Sequence, residues 1–136
     1  MKNADGPNGK NDRDLALRTK AFALLIIKMY AALPKETIAQ VLGKQVLRSG
    51  TAVGANYREA NRARSKAEFV AKMGDCLKEL DETAYWLELL VETDIVPQSR
   101  LPTLLDETSQ LIAIFVTIIN RAKQRQNEEG RMKNEQ

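Results

Sequence analysis

Apolar residues recur at every third or fourth position almost throughout this chain, the period of a helix buried along one side. Leu15, Phe22, Ile26, Met29 and Leu33 form the first stripe. It predicts a helix that opens after Asp12 or Asp14, either of which can cap unpaired N–H groups. The helix should end near Leu33, because Pro34 disfavours helix at the residue before it. Leu24, Ile27 and Tyr30 fall off the stripe, so this helix is apolar over more than one face.

A second helix is predicted from Pro34, tolerated in a first turn, to about Ala63. Its core line is Ile38, Leu42, Val46, Ser49, Val53, Asn56 and Ala60, with Asn56 read as a buried amide that fixes register. Beside it run Gly43, Leu47, Gly50 and Gly54. Glycine in a helix costs about 1 kcal/mol relative to alanine, so this line predicts close approach of a neighbouring helix backbone. Ser65 to Glu68, "SKAE", is a capping box, with Ser65 and Glu68 each taking an unpaired N–H. It opens a third helix to about Asp94, with Phe69, Met73, Cys76, Leu77, Leu80, Ala84, Leu87 and Val91 inward. The fourth begins near Ser99 or Pro102 and runs to about Arg125, on Leu101, Leu104, Leu105, Leu111, Ile112, Phe115, Ile119 and Ala122. Residues 1–13 and 126–136 are polar without apolar period and are expected to be disordered. The fold class predicted for residues 14–125 is all-α, an antiparallel up-down-up-down four-helix bundle.

Composition narrows the chemistry. The chain has 136 residues, 43% hydrophobic and 29% charged, sufficient for one core. It has no histidine, which removes the commonest general base, the commonest metal ligand and every Ser-His or Cys-His pairing. Cys76 is the single cysteine, so no intrachain disulfide can form and a small core residue is expected there. The apolar runs "AFALLII" and "LIAIFVTII" fall short of the ~20 residues of a membrane span. A soluble, cytoplasmic, non-enzymatic protein without cofactor or metal is the expectation. Asp75, Glu79 and Glu82 share one side of the third helix, but the Glu-x-x-His partners of a di-iron bundle are missing.

The net charge of +3 hides an uneven distribution. Up-down-up-down connectivity brings Arg13, Arg18 and Lys20 to the same pole as Arg58, Arg62, Arg64 and Lys66 and as Arg121, Lys123 and Arg125. Only Asp12, Asp14, Glu59 and Glu68 oppose them there. Two readings stand. Cations near the C-termini of helices two and four complement the helix dipole, or the pole contacts the phosphates of RNA or DNA. Arg58, Arg62, Arg64, Lys66, Arg121, Lys123 and Arg125 are the candidate nucleic-acid contacts. With Tyr57 the only aromatic placed nearby, backbone contact rather than base stacking is expected.

"LRSGTAVGANYREANRARSKAEF" followed by "LKELDETAYWLELLVE" closely resembles the 23S ribosomal-RNA intervening-sequence proteins. The match falls on Asn56 to Ala60, on Arg62 to Ser65, on Phe69 and on Leu77 to Leu80, and extends over about residues 15–125. The resemblance implies an antiparallel four-helix bundle assembled as a ring, commonly a homopentamer. The chain is also similar to the accessory proteins of diversity-generating retroelements, which bind nucleic acid and partner a reverse transcriptase. A ring gives a role to apolar residues off the core lines. Trp86 lies about 100° around its helix from Leu87, and it, Leu89, Leu24, Ile27 and Ile114 are the candidate interface residues. The alternative to nucleic-acid binding is a protein-only adaptor ring that docks a partner such as a reverse transcriptase.

Overall fold

A computed structural model describes residues 7–95 and 101–135, with side chains for 14–95 and 101–134. Four helices follow in order: α1 Pro7–Ala31, α2 Thr37–Asn61, α3 Lys66–Glu92 and α4 Leu101–Glu135. Among the described residues there is no strand. Each helix packs on its neighbour in sequence, whereas α1 and α4 barely touch. The antiparallel order is visible in contacts that step oppositely along paired helices. Ile26 meets Gly50 and Thr19 meets Gly54 between α1 and α2, and Ser49 meets Thr83 between α2 and α3.

The links follow from local chemistry. α1 closes with a tightened turn in which Leu33 N–H donates to the Tyr30 carbonyl at 3.1 Å. Pro34 then lies in the connection rather than in the first turn of α2, and its carbonyl accepts from Gln40 Nε2 at 2.8 Å. Glu36 is the N-cap, its Oε1 accepting from Ala39 N–H at 2.8 Å. Ser65 caps α3 as expected, Oγ accepting from Glu68 N–H at 3.0 Å. Glu68 reaches back to the N–H of Arg64, at 3.4 Å. Past α3, Asp94 takes φ 55°, a left-handed conformation that Asp adopts more readily than most residues.

Two boundaries differ from expectation. α1 begins at Pro7, inside the stretch expected to be disordered, where a proline fits a first turn because its missing N–H would be unpaired anyway. Residues 1–6 and the expected start near Ser99 lie outside the described residues. α4 continues to Glu135 instead of ending near Arg125. Gln, Glu, Arg, Met and Lys propagate a helix that the bundle has already nucleated, even without an apolar face.

The core is centred on Tyr57 of α2 and Phe115 of α4, edge to face with ring centroids 6.0 Å apart. Phe22, Ile26, Met73, Leu80, Leu87, Leu90 and Leu111 are buried along the length of the bundle. On α2 the buried line is Ala39, Gly43, Val46, Gly50, Val53, Tyr57 and Ala60 with Ser49, rotated from the predicted one toward α1. Ile38 is consequently 48% exposed and Asn56 only half-buried, so Asn56 is not the enclosed amide expected. The glycine line lies on this face, against α1. A methyl on Gly50 would lie 2.9 Å from Ile26 Cγ1, and one on Gly43 would overlap the terminal Leu33 methyl. These neighbours are side chains; only at Gly54 does backbone come close, the carbonyl carbon of Thr19 lying 3.6 Å from where Cβ would be.

Four buried hydroxyls all have hydrogen-bond partners. Thr19 and Thr108 donate to the carbonyls four residues earlier, at 2.9 and 2.6 Å, and the Ser49 and Thr83 hydroxyls lie 2.9 and 2.8 Å from theirs. Ser49 and Thr83 also lie 2.7 Å apart across the α2–α3 interface. Their two protons serve three short contacts, so the hydroxyl that donates across the interface does not donate to its own helix.

By length and composition alone α4 could cross a membrane. Here Leu104, Leu111, Phe115 and Ile119 are buried in the bundle, which accounts for one side of its apolar content.

Candidate nucleic-acid interface

The poor contact between α1 and α4 opens a cleft at the pole singled out by charge. Its volume is about 940 Å³, and its walls come from the first half of α1, the α2–α3 turn and the middle of α4. Leu15, Phe69, Ile114 and Ile118 form an apolar floor, and alanines 60, 63, 113 and 122 line it as well. Arg18, Arg64, Lys66, Arg121 and Arg125 stand around it, with Asp14 the acidic residue in the lining.

These cations are not equivalent. Arg18 donates from Nε and Nη2 to the two carboxylate oxygens of Glu107 at 2.8 and 2.9 Å, and from Nη2 to Gln110 Oε1 at 2.9 Å. This bidentate pair holds the α1–α4 seam together, and the Glu107 hydrogen bond drives the Arg18 pKa still higher. Its charge is spent within the protein. Lys66 pairs with Glu129, on the part of α4 that extends past Arg125. Among the described residues no carboxylate pairs with the side chains of Arg64, Arg121 or Arg125, all of them exposed.

The structure therefore gathers part of the expected basic set. Arg64, Lys66, Arg121 and Arg125 meet at the cleft. Arg58, Arg62 and Lys123 are exposed at the same end without lining it. Nearby, Lys72 Nζ donates to Glu59 Oε1 at 2.6 Å, and that bond raises the lysine pKa. The aromatic nearest the pole in sequence is not available to a ligand. Tyr57 is 1% exposed and packed on Phe115. Phe69, assigned to the core from its period, is half-buried and forms part of the cleft wall.

The apolar candidates also divide. Leu24 and Ile27 are 50% and 45% exposed on the outer face of α1, joined there by Leu17, which the sequence reading missed. Its seven-residue spacing from Leu24 was the available signal. Ile114 lies in the cleft rather than on an outer face. Trp86 and Leu89 are half-buried, and Trp86 packs edge-on to Tyr85 at 5.1 Å, its buried indole N–H without a partner among the described residues. Of the carboxylates on α3, Glu79 and Glu82 share Arg48 at 3.3 and 2.6 Å, so a cation is already in place between them. Among the described residues no cluster of three or more acidic, cysteine or histidine side chains is arranged to hold a metal.

The sequence model of the family described as 23S rRNA-intervening sequence protein matches residues 12–117. The chain belongs to that family. A crystal structure of a protein with unknown function from the S23 ribosomal protein family of Bacteroides thetaiotaomicron is similar to it, with 37% sequence identity and a TM-score of 0.74. The similarity covers 80% of this chain and 97% of that one. No curated protein matches. The match ends at residue 117, so Arg121, Arg125 and the end of α4 that carries Glu129 lie beyond it.

Proposed function

We propose that this protein is a non-enzymatic, self-assembling cytoplasmic scaffold that binds the phosphate backbone of RNA or DNA at the basic pole. The observation that carries the reading is the convergence of Arg64, Arg121 and Arg125 on one cleft without carboxylate partners among the described residues. Three guanidiniums left unneutralised at one place repel one another, and phosphate relieves that repulsion while releasing condensed counterions. A ring, such as the pentamer that the family resemblance implies, would repeat the site around its axis.

The test is the salt dependence of RNA binding, read by fluorescence anisotropy. Wild type should bind at low salt and weaken steeply as salt rises. Arg64→Glu, Arg121→Glu and Arg125→Glu together should abolish binding, with helicity and sedimentation unchanged. Equal binding by the triple variant overturns the reading.

A second reading has its own support. Leu17, Leu24 and Ile27 present an apolar ridge on α1, suited to another copy of the chain or to a protein partner such as a reverse transcriptase. An adaptor of that kind would keep its partner after charge reversal at the pole.

A further inference from the structure

The cleft holds more than phosphate binding needs. A phosphate contact requires cations at a surface, and a flat basic pole would suffice. Here the arginines stand over an apolar depression of about 940 Å³, toward the upper end of the ~300–1,000 Å³ range of sites for small organic ligands. Its floor is Phe69, Ile114 and Ile118, and the short alanine side chains beside them leave room for a flat group. A ligand that suits both features has an anionic chain with planar apolar groups attached to it. A duplex does not present itself in that way, because its bases are paired and stacked and show only their edges in the grooves, never a free flat face.

We infer that the cleft takes an unpaired segment of a nucleic-acid strand, one base lying on Phe69 and the Ile114–Ile118 floor while its flanking phosphates meet Arg64, Arg121 and Arg125. The inference rests on the phosphate-binding reading above and adds the strandedness of the ligand. Charge complementarity alone would also admit an acidic peptide. The character of the rim favours nucleic acid, since guanidinium planes pair with phosphate in bidentate fashion and also stack on bases. Polar groups belong to the lining as well, from Asn61, Ser65 and Thr117. Thr117 Oγ1 donates to the Ala113 carbonyl at 2.9 Å, which leaves its oxygen as an acceptor toward the cleft.

The experiment compares four labelled probes with the full chain at low and near-physiological salt: a mixed-sequence 12-mer, its duplex, an abasic strand of equal length, and poly-glutamate. The abasic strand keeps every phosphate and lacks the bases, so it isolates the floor without touching the protein. The single strand should bind roughly 5- to 100-fold more tightly than the abasic strand, the worth of about one stacked base. It should also exceed the duplex at matched salt. Phe69→Ala and, separately, Ile118→Gln should remove the advantage over the abasic strand while leaving the abasic affinity in place. Equal affinity for all three nucleic-acid probes, still lost in the triple arginine variant, overturns the strand assignment and leaves the phosphate reading standing. Absence of binding to any of the three, even at low salt, overturns both. Capture of poly-glutamate alone assigns the cleft to an acidic protein segment and likewise overturns the inference.

Discussion

At the scale of single residues, two positions separate packing from propensity. Gly50 and Gly74 are both helical glycines, and a methyl gains helix propensity at either. At Gly50 it would press on Ile26, fully buried and unable to move aside, whereas nothing lies within 4 Å at Gly74. Gly50→Ala should cost about 1–3 kcal/mol and Gly74→Ala should gain ~0.5–1 kcal/mol, both read from urea unfolding. Cys76 makes a second residue-scale case. Burial pushes its thiol up to about 12 from an ordinary value near 9. The folded chain thus keeps a proton that the unfolded chain releases first. Stability from this group is fully present below about pH 9 and falls as pH rises toward 12, by about 1.4 kcal/mol per pH unit. Cys76→Ala lowers stability overall but should flatten that dependence, seen by comparing urea midpoints of both proteins at pH 8 and pH 10. Native Cys76 should also resist iodoacetamide at neutral pH.

The elements depend on their ends. Ser65 alone satisfies the Glu68 N–H at the start of α3, where the chain has just turned from α2, so Ser65→Ala should destabilise by about 1 kcal/mol in urea melts. The extension of α4 is an element-scale feature with a functional consequence. It is almost wholly exposed, and its Glu129 holds Lys66 at the lip of the cleft. Glu129→Gln frees that lysine. Affinity for RNA at low salt should rise, and the log–log salt slope should steepen by ~0.7–0.9, one extra phosphate contact. An unchanged slope would place Lys66 outside the footprint.

For the whole molecule, the governing feature is a bundle closed on three seams and open on the fourth. Arg18 with Glu107 and Gln110 ties α1 to α4 where little else does. Beyond that tie the cleft opens, and on the outer side of α1 the Leu17–Leu24–Ile27 ridge lies in solvent. An apolar face of this kind is buried by assembly. Wild type should sediment as an oligomer at micromolar concentration, and Leu24→Glu should yield a folded monomer of unchanged helicity. A wild-type monomer under the same conditions would contradict self-assembly through this face.

The helix count, their order and most inward stripes were determined by the sequence itself, because helical period and capping are properties of neighbours along the chain. Ser65, Met73, Leu80, Leu111 and Phe115 could each be assigned from a window of a few residues. The gathering of cations at one pole was also legible, since it follows from connectivity alone. Tertiary structure decided which of them remain available. Arg18 and Glu107 are 89 positions apart, and Lys66 and Glu129 are 63 apart, so no local pattern predicts those pairs. It also decided how the aromatics divide: Tyr57 is enclosed against Phe115, whereas Phe69 lines the cleft. Both depend on how closely two helices approach, and that distance is set by side chains on both of them at once.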